Sequence, residues 1–211
     1  RRRPETMSLL RKNIAANYVG RAWMVVMSVA FIPLYLDFLG VEAYGLIGIF
    51  FVLQTTFSLL DLGLGTTLNR ELARRSTDQA DAGAMRSLVR SLELLSWALA
   101  AVLAAALILA APVIASDWVQ PQDLEPAAIE RAIVMMGLAL AFRWPLALYT
   151  GGLMGLQRHV ALNQIIVVAS TVQAGGAALV LWWIAPTLEA FFTWQVIAAA
   201  AQAGVTMLVL W

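Results

Sequence analysis

Residues 94–116 read LLSWALAAVLAAALILAAPVIAS, a run without Asp, Glu, Lys or Arg. A helix rises about 1.5 Å per residue, so roughly 20 apolar residues cover the ~30 Å hydrocarbon core of a bilayer. A helix on the surface of a soluble protein would keep a polar face, and this stretch offers none. Two further uncharged runs, 160–188 and 190–211, are as long as a span requires. Around them the 211-residue chain is 61% hydrophobic and 13% charged, against about 45–50% and 25% in soluble domains. An ordinary soluble enzyme is excluded.

Extending the same reading in both directions predicts an all-α integral membrane protein, a six-transmembrane-helix bundle forming a single domain over residues 1–211. The expected helices are 17–39, 43–68, 91–116, 129–150, 162–184 and 190–211. Lys and Arg resist translocation, so their placement sets orientation. The lead-in carries Arg1, Arg2, Arg3, Arg11 and Lys12, the second connection Arg70, Arg74, Arg75, Arg86 and Arg90, and the fourth Arg158. Alternate connections are acidic: Asp37 and Glu42, then Asp117, Asp123, Glu125 and Glu130, then Glu189, with Arg131 the one basic residue placed outside. The amino terminus is therefore expected to be cytoplasmic.

Tryptophans fit the same layout. Trp23, Trp97 and Trp211 fall near inner helix ends, and Trp118, Trp182, Trp183 and Trp194 near outer ones; Trp144 lies deeper. The basic lead-in reads as an orientation signal and a lipid-headgroup anchor, not a secretory signal or a nucleic-acid site. Met7 is a candidate start. Between helices two and three, residues 70–91 read either as a short amphipathic surface helix or as a solvated linker. Trp211 closes an uncharged run without a basic tail, so these helices are expected to be one lobe of a larger transporter built from repeated bundles.

Soluble catalytic signatures are absent: no Walker A loop, no dinucleotide fingerprint, no HExxH, no nucleophile with a matching His. The expectation is a non-enzyme without cofactor. With no Cys and one His, His159, a thiolate or multi-histidine metal site is not expected. His159 reads as a loop residue. Pro33 and Pro145 are expected to kink helices one and four, which either opens the bundle or shapes its packing. Gly151, Gly152 and Gly155 either allow close helix approach or loosen the connection that follows.

Charge inside membrane helices carries more information, because even insertion scales put its cost at about 2.5–3.5 kcal/mol. Arg21, Asp61, Glu93 and Arg143 are the candidates. Asp61 lies roughly 27 Å from the outer end of helix two, and Glu93 begins helix three, so both approach the cytoplasmic interface. Arg143 sits about 18 Å below the outer end of helix four, near mid-bilayer. Polar residues follow helical stripes: Asn13, Asn17, Arg21, Ser28 and Tyr35 in helix one, Gln54, Ser58 and Asp61 in helix two, Gln195, Gln202 and Thr206 in helix six. Two arrangements satisfy these charges. Either the stripes enclose a hydrated cavity whose deep cations Arg21 and Arg143 receive an anion, or the arginines pair internally with Asp61 and Glu93 in a packed bundle.

Four strings occur in order: LGVEAYG at 39–45, LLDLGLG at 59–65, RELAR at 70–74, and GLMGLQR at 152–158 with Asn163 beyond. Together they resemble the bacterial polysaccharide (O-antigen type) flippases of the multidrug/oligosaccharidyl-lipid/polysaccharide exporter superfamily, over about the first 165 residues. That resemblance implies the amino-terminal lobe of a transporter of 12 to 14 helices in the bacterial cytoplasmic (inner) membrane. Such a transporter moves undecaprenyl-diphosphate-linked oligosaccharide (O-antigen, capsule or exopolysaccharide units) by alternating access.

The implied partners are the lipid-linked oligosaccharide diphosphate, membrane lipids and polysaccharide polymerase machinery, with no nucleic acid. The resemblance also implies a cationic central cavity, for which Arg21 and Arg143 are the expected contacts to diphosphate or acidic sugar, with Asn17 and Gln54 as neutral hydrogen-bonding partners. Asp61 and Glu93 are candidates for ion coupling or ion pairing. Competing readings are a drug/cation antiporter of the same superfamily, which needs Asp61 or Glu93 buried and protonatable, and a non-transporting membrane scaffold or fragment, which needs a dry, fully paired bundle.

Overall fold

A computed structural model of the chain describes residues 18, 20–59, 63–75, 82–118 and 124–211. Every regular element among them is a helix: α1 (Gly20–Ala30), α2 (Ile32–Leu59), α3 (Leu64–Arg75), α4 (Ala82–Val113, continued by one π turn, Ile114–Trp118), α5 (Pro126–Gly155), α6 (His159–Trp183) and α7 (Leu188–Leu210). Five helical stretches are long and apolar enough to cross a membrane: Ile32–Ser58, Gly83–Ser116, Pro126–Gly155, His159–Trp183 and Leu188–Leu210; α1 is a shorter apolar helix. The chain is accordingly a helical, multi-pass membrane protein. Large apolar side chains such as Leu109 and Leu208 are exposed on its flanks, as lipid contact demands.

Several boundaries differ from the sequence expectation, and glycine or proline accounts for most of the differences. The connection expected between helices 17–39 and 43–68 reduces to one residue inside α2. Gly40 has φ 81° and ψ 171°, a backbone region that only glycine occupies readily. The first expected helix is itself interrupted at Phe31, two residues before Pro33, whose ring cannot continue the preceding hydrogen-bond ladder. The expected helix 43–68 is not continuous. It ends at Leu59, and α3 starts at Leu64 just after Gly63, whose φ is 74°.

An amphipathic helix does form in this region, but as α3, earlier than residues 70–91. Leu68 and Leu72 are buried while Arg70 and Arg74 face out. Residues 82–90, expected in that connection, instead open α4, which starts ahead of the expected 91–116. Its 32 residues measure roughly 48 Å, longer than a hydrocarbon core, so the exposed Arg86 and Arg90 can lie beyond the apolar region. The expected helix 129–150 runs longer at both ends, as α5. Pro126 occupies the first turn, where its missing N–H costs nothing, and Gly151, Gly152 and Gly155 are helical rather than part of a loop.

Helix α5 is the central element, contacting α2, α3, α4, α6 and α7. Two apolar clusters share it. One joins Ile47, Phe50, Ile129, Met136, Phe191 and Phe192; the other joins Leu68, Leu72, Leu148, Leu153, Leu162 and Leu210. In lipid, helices associate through close packing rather than water exclusion, and small residues permit that closeness. A Cβ on Gly155 would stand 2.6 Å from the Asn69 carbonyl oxygen, and one on Gly151 would overlap the Gly65 backbone. The glycines therefore serve close approach: α3 lies directly against α5.

Ends are secured by ordinary means. Thr187 caps α7 by accepting from the Ala190 N–H at 3.2 Å, with Glu189 in the first turn, where the helix dipole favours it. Glu189 also pairs with Arg131 of α5. At the opposite end of the bundle Arg158 donates to the Val209 carbonyl at 2.6 Å, satisfying a terminal acceptor of α7.

Gly151→Ala should push α3 off α5 and destabilise the protein by about 1–3 kcal/mol. Gly45→Ala, with no neighbour near its added methyl, should leave stability unchanged or raise it. Thermal unfolding of the two variants in detergent checks this, and equal melting temperatures would refute the close-approach role.

Candidate functional site

A cavity of about 540 Å³ opens between α1, α2, α5, α6 and α7, within the ~300–1,000 Å³ usual for ligand pockets. Its walls are mostly apolar, and the polar groups arrive from each helix in turn. Helix α1 supplies Ser28, α2 Gln54 and Ser58, α5 Arg143 and Thr150, α6 Ser170 and Gln173, and α7 Gln195 and Gln202. Spacing explains the convergence. Gln54 with Ser58, and Ser170 with Gln173, are one turn apart, and Gln195 with Gln202 are two, so each pair shares a helix face.

Arg143 is the cation of this lining, and no carboxylate lines it among the described residues. One guanidinium N–H donates to Gln195 Oε1 at 3.3 Å. That same oxygen accepts from Gln173 Nε2 at 2.5 Å, so a hydrogen-bonded chain crosses α5, α7 and α6. The guanidinium carbon lies 5.8 Å from the centre of the Phe50 ring, a cation–π contact. Arg143 makes no ion pair among the described residues. Its Nε, the Gln54 Oε1 and the indole N–H of Trp144 are all buried without a hydrogen-bond partner. Three residues of one cavity thus hold unused hydrogen-bonding capacity, where buried polar groups are normally satisfied.

The remaining sequence candidates separate. Gln54 lines the cavity with Arg143, as the stripe reading expected. Arg21 does not: it is exposed on α1 and is absent from the lining, because the α1 residues that face the cavity are Met24, Val25, Met27 and Ser28, beginning almost a turn further along. Asn17 and Asp61 lie outside the described residues.

Glu93 belongs to a second cluster, away from the cavity. It is buried, accepts from the Tyr149 hydroxyl at 2.7 Å and pairs with Arg90 at 3.0 Å; Tyr149 in turn accepts from the Trp97 indole N–H at 3.1 Å. The internal pairing considered for the deep arginines therefore does not join Arg143 to Glu93. Glu93 is compensated by its own helix and by α5.

Four polar lining residues escaped the sequence reading: Trp144, Thr150, Ser170 and Gln173. Ser170 and Gln173 carried a readable signal, since they form a polar stripe with i,i+3 spacing inside an uncharged run. Trp144 was noticed only for its depth. No protein family, curated protein or solved structure matches this chain.

The chain has no native cysteine, so single cysteines report solvent access directly. Ser58→Cys and Ser170→Cys should react with a charged, membrane-impermeant thiol reagent, whereas Leu109→Cys on the exposed apolar flank should not. Equal reactivity at all three positions would show that the cavity is not a distinct aqueous space. Separately, Tyr149→Phe should cost about 1–3 kcal/mol by leaving a buried carboxylate oxygen of Glu93 without its donor. It should leave the labelling at Ser58→Cys unchanged, because Tyr149 does not line the cavity; a coupled loss of labelling would contradict this separation.

Proposed function

We propose that the chain is the amino-terminal lobe of a lipid-linked oligosaccharide flippase. In this reading it translocates undecaprenyl-diphosphate-linked glycan across the bacterial cytoplasmic membrane by alternating access. One observation carries the proposal: a single guanidinium without an acidic partner among the described residues, in a polar-lined cavity between apolar helices. Charge in such a position is kept where it meets a ligand or a water-filled path. The four sequence strings that resemble the polysaccharide flippases support the choice among transporters.

Six spans follow if α1 and the first part of α2, up to the break at Gly40, are taken as one interrupted crossing and residues 41–59 as its return. Apart from Arg131, which pairs with Glu189 at the outer end, the described arginines of the helix ends then divide as orientation requires. Arg70, Arg74, Arg86, Arg90 and Arg158 lie at the end assigned to the cytoplasm, and the acidic residues Asp37, Glu42, Glu125, Glu130 and Glu189 at the other. Polysaccharide polymerase machinery would receive the product on the outer side.

Binding works by exchange. An anionic oxygen entering the cavity replaces water and gains charge-assisted hydrogen bonds from Arg143, which are stronger than neutral ones. The glutamines and serines each offer a donor and an acceptor and suit the hydroxyl and amide groups of sugars. The isoprenoid tail stays in lipid, where the apolar flanks already lie. A purely structural bundle gains nothing from an unpaired cation beside open space, and this favours transport over a scaffold. A drug/cation antiporter would want an uncompensated acid in the cavity; the acid described in this part of the chain, Glu93, sits elsewhere with a partner.

Arg143→Glu should abolish delivery of surface polysaccharide and leave lipid-linked glycan accumulating on the cytoplasmic side, while Arg143→Lys retains part of the activity. The measurement is surface glycan in cells carrying each variant, normalised to the amount of protein in the membrane. Normal surface glycan with Arg143→Glu would refute the assignment.

A further inference from the structure

The acceptor that holds Arg143 in the cavity is neutral. Gln195 is 2% exposed, and its Oε1 receives both the Arg143 guanidinium and the Gln173 amide. A carboxylate at this position would form a charge-assisted pair with Arg143 and saturate it. An apolar side chain would leave the guanidinium with only the Phe50 ring. The amide oxygen lies between these extremes. It gives Arg143 one acceptor, at 3.3 Å, beyond the usual 2.7–3.2 Å for such a bond. The Arg143 Nε remains without a partner.

Gln173 makes the shorter of the two bonds, so it fixes the oxygen from behind while Arg143 holds it loosely. We infer that Gln195 is a placeholder at the anion site, keeping a neutral oxygen where the ligand's anionic oxygen binds, and that Gln173 positions it there. This rests on the transport reading of the cavity and adds to it a mechanism for release. An anion displaces a weak neutral acceptor on entry, and the same acceptor takes Arg143 back when the anion leaves. The guanidinium is therefore never stranded in an apolar setting.

The ligand group is one oxyanion, either phosphate or carboxylate, since a single guanidinium and no second lining cation face it among the described residues. Both Gln195 and Gln173 are positioning residues in this scheme. They act on the ligand through Arg143.

The test is thermal unfolding of the purified full chain in lipid nanodiscs, alone and with millimolar inorganic pyrophosphate or glucuronate. Wild type should melt higher with at least one anion; a response to pyrophosphate alone identifies the diphosphate as the group bound, and to glucuronate alone an acidic sugar. Gln195→Glu should melt higher than wild type without anion and show no anion response. Gln195→Met should melt lower without anion and show a larger anion response, because nothing competes for Arg143. A merely structural glutamine would lower stability in both variants without reversing their anion responses. If wild type responds and Gln195→Glu responds equally, or Gln195→Met loses its response, the placeholder role falls and the transport reading stands. If wild type and Gln195→Met respond to neither anion, both fall. Should Gln195→Glu not fold, the enlarged or lost response of Gln195→Met decides the question.

Discussion

A guanidinium halfway along an apolar helix needs compensation, and the bundle is arranged around the way Arg143 receives it. The available means are few in a low-dielectric setting: an acid, a set of neutral acceptors, an aromatic face, or water. An acid would have been simplest, and the chain places a buried one, Glu93, against Tyr149, only six residues along α5 from Arg143. Yet Glu93 is bound to Arg90 and Tyr149, and Arg143 is left with a glutamine oxygen, a phenyl ring and open space. Neutral compensation keeps the cation available. That requires the polar stripes of several helices to face one another, and so requires the helices to stand apart on one side of α5.

On its other sides α5 is packed tightly, and the glycines allow this. Gly151 and Gly155 bring α3 against the same helix that carries Arg143, and Leu148 and Leu153 fill the cluster around them. The cavity is thus bounded by a helix that is firmly held elsewhere. A binding group mounted on a held element keeps its geometry whether or not a ligand is present. Large residues at these glycine positions would displace α3, and the loss would be felt first as stability.

How much of this could be read from the chain depended on the length scale of the signal. Helix content, the membrane class and the long apolar runs followed from charge-free stretches such as 94–116, because lipid imposes a requirement on every residue of a span. Gln54, Ser58, Gln195 and Gln202 were legible as stripes for the same reason that they converge: one helical face carries them. The breaks were less legible. Gly40 and Gly63 both adopt positive φ, but a glycine in an apolar run gives no indication whether it will break the helix or, like Gly151, pack within it. The distinction depends on whether a neighbouring backbone arrives, which is a tertiary fact. Arg21 illustrates the same limit. It shared a stripe with Ser28 and Tyr35, but a stripe is a line along a helix, and the interruption at Phe31 and the placement of α1 decide how much of that line faces the cavity.

Two polar sites on one helix raise the question of whether they act together. Arg143 and Tyr149 are six residues apart, about 9 Å along the axis and roughly 120° around it. That rotation turns Arg143 toward α7 and Tyr149 toward α4, so each site draws its partners from different helices: Gln195 and Gln173 for one, Glu93, Trp97 and Arg90 for the other. With no shared hydrogen-bond partner, the direct coupling between them is small, and any larger coupling has to pass through movement of α5 as a rigid body. The tight contact with α3 resists such movement in the state described. In the transport reading proposed above, α5 would therefore move together with the helices packed most extensively on it, α3, α4 and α7, which leaves the Glu93 cluster unbroken.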